Sequence, residues 1–316
     1  MYKKTTLFTL FGLSVIISTT PYTAHASQLW QSYCSTVTTG SSKISNNNTS
    51  ATNYTVQAVD NPAIKMTAQQ LTASKTNNTL SSDQLKRVSN ITSTGILNLV
   101  LNHQMKQCNK SYYTDSLTPL VNSLQQGNNV NFTWNNVHIQ NGKASYKAKL
   151  LTMQLSGQGS NIHIIIRFSG LSTTAQQKTP TALIPEQGVI DVTTTPQVYP
   201  LILAATSGNT DTTSSNTTLP IKINTLNIKN AHTTISANGN VTINNKASLT
   251  SANGLLQITN MQTLIDAASA THNSKLKTGL ILARFAGRSV GTDKLEWDIQ
   301  WQGNLFKVNS VPIPVW

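Results

Sequence analysis

Residues 295–301 read Leu-Glu-Trp-Asp-Ile-Gln-Trp, an unbroken alternation of apolar and polar side chains. A period of two places Leu295, Trp297, Ile299 and Trp301 on one face of a β-strand and Glu296, Asp298 and Gln300 on the other. Gly303-Asn304 then reverses the chain into residues 305–308, and Pro312 and Pro314 close it. A strand pair with one apolar face needs a covering layer. The segments just upstream supply one: residues 261–270 read as a helix with Leu264 and Ile265 inward and Asn260 as its cap, and residues 276–285 as a second, closed by Gly287.

Farther upstream the same logic continues. Leu219, Ile221 and Ile223 share a face, whereas Leu226 and Ile228 have the opposite parity, which calls for a bulge or turn near Asn224. Asn238-Gly239, between Ile235 and Val241, predicts a tight hairpin, and Asn244-Asn245 a turn into a strand ending near Ile258. Phe132-Thr133-Trp134, residues 145–155 and residues 162–168 read as strands, with Asn141-Gly142 joining the first two. Tyr54, Val56 and Ala58 alternate as in a strand, and the apolar run 198–205, interrupted by Pro200, has strand-like length. Residues 82–108 carry Leu85, Val88, Ile91, Ile96, Leu99 and His103 at helical spacing, weakened by Gly95. Asp115 reads as the N-cap of another helix, with Leu117, Leu120, Val121 and Leu124 on one stripe and Gly127 at its end. Residues 40–53 and 207–218 read as polar loops.

The predicted fold class is α+β: a predominantly antiparallel, curved β-sheet built from hairpins, with a few short amphipathic helices packed on it. Composition agrees. Of 316 residues, 38% are hydrophobic and only 10% charged, which excludes charge-driven disorder and a Glu/Lys/Leu helical bundle. Abundant Thr, Asn and Ser beside Val and Ile suit strands with one wet face.

The chain begins with Lys3-Lys4, an uncharged apolar run over 7–17, and Ala24-His25-Ala26. That is the layout of a cleavable secretory signal, cut between Ala26 and Ser27, and the run is too short for a membrane-spanning helix. A periplasmic protein with no integral membrane segment after cleavage is expected. The expected organisation is a signal peptide over 1–26, a helix-plus-sheet region over 27–210 and a C-terminal sheet with two helices over 211–316. In an oxidising compartment Cys34 and Cys108, the only cysteines, are expected to pair and close a loop of roughly 75 residues.

The stretch LPIKINTLNIKNAHTTISANGNVTINNKASLTSANGLLQITNMQTLIDAASA, residues 219–270, resembles the later part of the bacterial domain of unknown function 2125 family. Gly239, Val241 and Ile243 match its "G-x-(V/L)-x-(I/L)" hairpin. Gly254, Leu256 and Ile258 match its "G-x-L-x-(I/V)" element, and Met261, Leu264 and Ile265 match its helix. The ending VNSVPIP is similar to the family's "V-N-G-x-P", with Ser310 in place of Gly. The resemblance covers roughly residues 219–314 and implies an exported envelope protein without assigned catalytic residues. The architecture also looks like the long curved sheets of AsmA-like envelope proteins, some linked to lipid handling.

Candidate sites are few. Glu186 and Asp191, and Asp293, Glu296 and Asp298, are carboxylates close enough in sequence to divide acid and base roles if one is buried. On an alternating strand, however, Glu296 and Asp298 fall on the solvated side. His103, His138, His163, His232 and His272 show no metal-ligand spacing, and neither a GxSxG elbow nor a phosphate-binding glycine loop occurs. No cofactor or metal is expected. With 23 Lys and Arg against 10 Asp and Glu, the formal net charge is +13. Lys143, Lys147 and Lys149 form the densest basic set, without the interleaved aromatics that nucleic-acid binding wants. A lipid or an anionic envelope surface is the expected partner. The expected function is that of a non-catalytic envelope protein, with Leu295, Trp297, Ile299 and Trp301 as a possible apolar ligand face or as core under the last helix. The alternative is a periplasmic hydrolase of envelope glycans.

Overall fold

A computed structural model describes residues 34–313 except 77–78, 102–104, 106–107, 109, 143, 174–182, 206–217, 245–248, 271–273 and 304. The expected signal segment with Ala26 and Ser27, His103, Lys143, His272, Pro314 and all but the last residue of the second polar loop lie outside the described residues.

The chain opens with strands β1 (Ser35–Thr38), β2 (Ser41–Ile44), β3 (Asn48–Ala58) and β4 (Ile64–Lys75), followed by helices α1 (Ser82–Val100) and α2 (Lys110–Gln125). Next come β5 (Asn129–Asn141), β6 (Ser145–Gln158), β7 (Asn161–Ser169), the two-residue β8 (Ser172–Thr173), β9 (Gln187–Thr194) and helix α3 (Val198–Ala205). Strands β10 (Thr218–Lys229), β11 (Thr234–Asn244) and β12 (Ser251–Thr259) lead to helices α4 (Met261–Ala270) and α5 (Ser274–Ala286). The end is formed by β13 (Arg288–Gly291), β14 (Lys294–Gln302), β15 (Leu305–Val308) and β16 (Val311–Ile313).

The described strands form one open sheet in the order β1-β3-β4-β5-β6-β7-β9-β10-β11-β12-β14-β15-β16, with β2 on β3, β8 on β6 and β13 on β14. Neighbours are antiparallel throughout. Strands β9 and β10, which precede and follow the expected boundary, pair directly, with Ile221 opposite Thr194 and Lys229 opposite Gln187.

Register gives each face a uniform chemistry. Ala73, Phe132, Met153, Ile166, Ile190, Leu226, Ala237, Leu256 and Trp297 stand side by side from β4 to β14. The adjacent row on the opposite face is Thr72, Thr133, Thr152, Arg167, Val189, Asn227, Ser236, Gln257 and Glu296. Side chains of neighbouring residues point to opposite sides, so one face is apolar and the other hydroxyl- and amide-rich. The first packs against the helices: α1–α3 cover a large core with Tyr54, Phe132 and Trp134 buried in it, and α4 and α5 cover a smaller one around Trp297.

Local chemistry explains these elements. Ser81 caps α1 by accepting from the Gln84 N–H (3.1 Å), and Gln84 Oε1 accepts from the Ser81 N–H (2.7 Å). Gly95 inside α1 lets α3 close in, since a Cβ there would stand 2.7 Å from Leu203. The bulge expected near Asn224 is present as register shifts between Ile223 and Leu226.

Four expectations fail. Residues 40–53 are not a loop: Ser41 pairs with Thr52, their hydroxyls are 2.7 Å apart, and Thr49 and Ala51 are buried, so threonine and alanine serve here as inward strand residues. The run 198–205 is helical, because Pro200 sits in the first turn, where no N–H is needed. Helix α2 starts at Lys110, so Asp115 lies within it rather than capping it, and Pro119 withdraws the N–H that Asp115 would otherwise accept. Gly239 is no turn either; it lies inside β11 opposite Gly254. Its φ is +155°, and a Cβ there would stand 2.2 Å from the Asn253 carbonyl oxygen, so glycine serves close backbone approach.

Candidate functional site

Cys34, just before β1, and Cys108, between α1 and α2, are buried and joined as a disulfide with Cα atoms 4.9 Å apart. No free cysteine remains among the described residues.

The aromatic stripe of β14 faces the helices. Trp297 is 3% exposed and donates from Nε1 to the Ala283 carbonyl of α5 at 2.8 Å. Leu295 and Ile299 pack in the same cluster with Leu280 and Ile281 of α5. Trp301, 38% exposed, donates to the Gly303 carbonyl at 2.5 Å and marks the open end of the stripe. Helix α5 therefore lies over most of the stripe, while its own outer side stays bare. Leu282 is 63% exposed and Phe285 82%. The exposed Lys275, Lys277 and Arg284 share this helix, whose sequence SKLKTGLILARFA contains no acid. Asn309 Nδ2 donates to the Ala286 carbonyl at 2.6 Å, which holds the β15–β16 turn, with exposed Val311 beyond it, against the end of α5.

The polar face brings two sequence candidates together. His163 on β7 and Asp191 on β9 meet at 2.6 Å, and Asn224, at the β10 bulge, donates from Nδ2 to Asp191 Oδ1 (2.8 Å) and Thr193 Oγ1 (2.8 Å). Burial pushes the Asp191 carboxyl up, but donation from Asn224 and His163, with the charges of His163 and Arg167, outweighs it and leaves the group below its ordinary value. Glu186 is exposed and is not brought to this pair. On β14, donation from Arg288 and from Gln257 (Nε2 to Oε2, 2.7 Å) holds Glu296 below the usual carboxylate range, against burial. Asp293 sits exposed in the β13–β14 turn, and Asp298 on the same face as Glu296.

His138 contacts the Ser145 hydroxyl at 2.5 Å, and burial together with nearby Lys147 and Lys65 lowers its pKa. His232 is exposed, as are Lys147 and Lys149 on β6. Among the described residues no three His, Cys, Asp or Glu side chains group as metal ligands. No described helix is long and apolar enough to cross a membrane.

Sequence reasoning missed Asn224 and Gln257 as partners of the carboxylates, and it missed the bare side of α5. The parity break at 223–226 was the one signal pointing to Asn224.

Both carboxylates add stability that is present above the ordinary carboxylate pKa and lost as pH falls through their lowered folded values. Urea midpoints of the wild type are expected to drop steeply below about pH 4, and an Asp191→Asn, Glu296→Gln double variant to show a flatter profile. Parallel profiles for the two proteins would remove these pairs as contributors.

Compared with models of protein families, with curated proteins and with solved structures, the chain matches none.

Proposed function

We propose that the protein is an exported, non-catalytic component of the cell envelope that rests on an anionic lipid surface through α5 and the adjoining end of the sheet. In this reading the sheet is a curved frame, and the likeness of residues 219–314 to exported envelope proteins belongs to the same proposal. The observation that carries it is the pairing on one helix of bare Leu282 and Phe285 with Lys275, Lys277 and Arg284 and no acid. Interfacial helices bind by this combination: apolar side chains enter the headgroup boundary while cations meet anionic lipid. Each cation near such a surface contributes about 1 kcal/mol, and burying Leu282 or Phe285 about 2 kcal/mol.

Co-sedimentation with vesicles tests it. The mature protein is expected to pellet with phosphatidylglycerol-containing vesicles at low salt and to remain in solution with pure phosphatidylcholine. A Leu282→Ser, Phe285→Ser variant is expected to bind about tenfold or more weakly, and high salt to weaken the wild type, because screening shortens the reach of exposed charges. Failure of the wild type to bind anionic vesicles at low salt would overturn the proposal.

The His163–Asp191 contact is what favours the second reading, hydrolysis of envelope glycans. A general acid needs a raised pKa, whereas Asp191 is held ionised. Release of reducing ends from peptidoglycan by the purified protein would restore that reading.

A further inference from the structure

We infer that the bare face of the sheet carries a subsite for a neutral sugar ring beside the β10 bulge. The bulge opens a depression of about 100 Å³ across β10, β11 and β12, lined among others by Asn224, Thr225, Ser236, Asn238, Leu255 and Gln257. Apart from Leu226 and Ala237 of the apolar row, its lining residues stand on the face away from the helices, which separates it from the docking of α5.

The two amides at its borders are oriented from outside. A carboxylate cannot donate, so the nitrogen of each amide must face it: Asn224 Nδ2 faces Asp191 and Gln257 Nε2 faces Glu296. This turns both side-chain carbonyl oxygens away from the carboxylates as acceptors. Ser236, between them on β11, adds a hydroxyl that both donates and accepts, and Asn238 adds an amide. Leu255 gives an apolar patch among these groups. Strand spacing sets β10 and β12 about 10 Å apart, the scale of one or two pyranose rings.

Charge decides between ligand classes. Asp191 is already met by His163 and Asn224, and Glu296 by Arg288 and Gln257, so neither carboxylate is left to draw a cation. An anion would meet carbonyl oxygens. A hydroxylated ring both donates and accepts, and it has C–H faces for Leu255. Holding the amides by a second layer of hydrogen bonds also lowers the ordering cost of binding.

Titration of the isotope-labelled mature protein with cellotriose, maltotriose and chitotriose, followed by amide NMR, tests the inference. Saturable shifts confined to the signals of Asn224, Ser236, Asn238, Leu255 and Gln257 are expected with at least one triose, at a dissociation constant of about 1–10 mM. Gln257→Ala is expected to weaken binding about tenfold, and Asn238→Leu, which fills the depression while leaving both carboxylate pairs in place, to abolish it. Three outcomes would overturn the inference. These signals stay still with all three sugars; binding is unchanged in both variants; or acetate or methylammonium at equal concentration moves the signals more strongly than any sugar.

Discussion

Removing the Cys34–Cys108 bridge is expected to cost about 4 kcal/mol of stability. The bridge spans 74 positions, and loop-closure entropy of a segment that long gives this magnitude. The loss is expected as a drop of about 6 °C in the unfolding midpoint, given the unfolding entropy of a chain of this size. The bond also has a local task. It holds the start of β1, which among the described strands pairs with β3 alone, against the α1–α2 connection. Once it is cut, β1 keeps the Ser35–Thr94 hydroxyl contact at 2.8 Å and the bond from the Val59 N–H to the Cys34 carbonyl at 3.2 Å. A Cys34→Ala, Cys108→Ala variant, compared with the wild type in urea, separates the two contributions. An entropic effect lowers the midpoint at a slightly increased m-value, whereas exchange rising in β1 alone would place the effect in local fraying. A difference below about 1 kcal/mol would show that the crosslink does not constrain the unfolded chain.

The parts of the fold legible in the sequence are those where burial on one face imposes a period. Strands β5, β7 and β14 carry large apolar residues at alternate positions, and α4 carries Met261 with Leu264 and Ile265 three and four residues on, so each announced its geometry. Strand β3 was harder because its inward positions include Thr49 and Ala51, which do not stand out among Ser, Asn and Thr. Gly95 and Gly239 read as a helix weakener and a turn, yet both answer to neighbours distant in sequence: Leu203 in one case, Asn253 and Gly254 in the other. The same nonlocality hid most of the candidate site. His163 and Asp191 were visible as residue types, but their contact depends on β7 and β9 being neighbours, with β8 displaced onto β6. Asn224 and Gln257 were lost among many amides. In α5, Leu282 and Phe285 look like core residues by type alone; only the packing of Leu280 and Ile281 onto β14 leaves them outside.

Trp297→Ala is expected to cost about 3–5 kcal/mol, the usual range for emptying a buried tryptophan site. Where the loss appears is the more informative result. Trp297 lies in the smaller cluster with Ile258, Met261, Leu264, Ile265 and Val308, and its indole is the polar anchor of α5 through the Ala283 carbonyl. Gly287 closes over the same ring: a Cβ at that position would stand 2.9 Å from Cζ2. Without the indole, α5 loses its floor and its hydrogen bond together, while the large core under α1–α3 keeps every contact. Amide exchange is therefore expected to rise in α5 and β14–β16 and to remain slow in α1 and β4–β6, as for a separately opening unit. Trp297→Phe retains an aromatic floor but removes the donor and part of the buried ring, so about 2–3 kcal/mol is expected. The pair also separates docking from folding. Trp297→Ala is expected to weaken binding to anionic vesicles with faster exchange in α5, because the bare face is no longer held in place. Leu282→Ser with Phe285→Ser should weaken it with exchange in α5 unchanged. Uniformly faster exchange across all strands in Trp297→Ala would show instead that the two clusters unfold as one, and would remove α5 as an independently supported docking element.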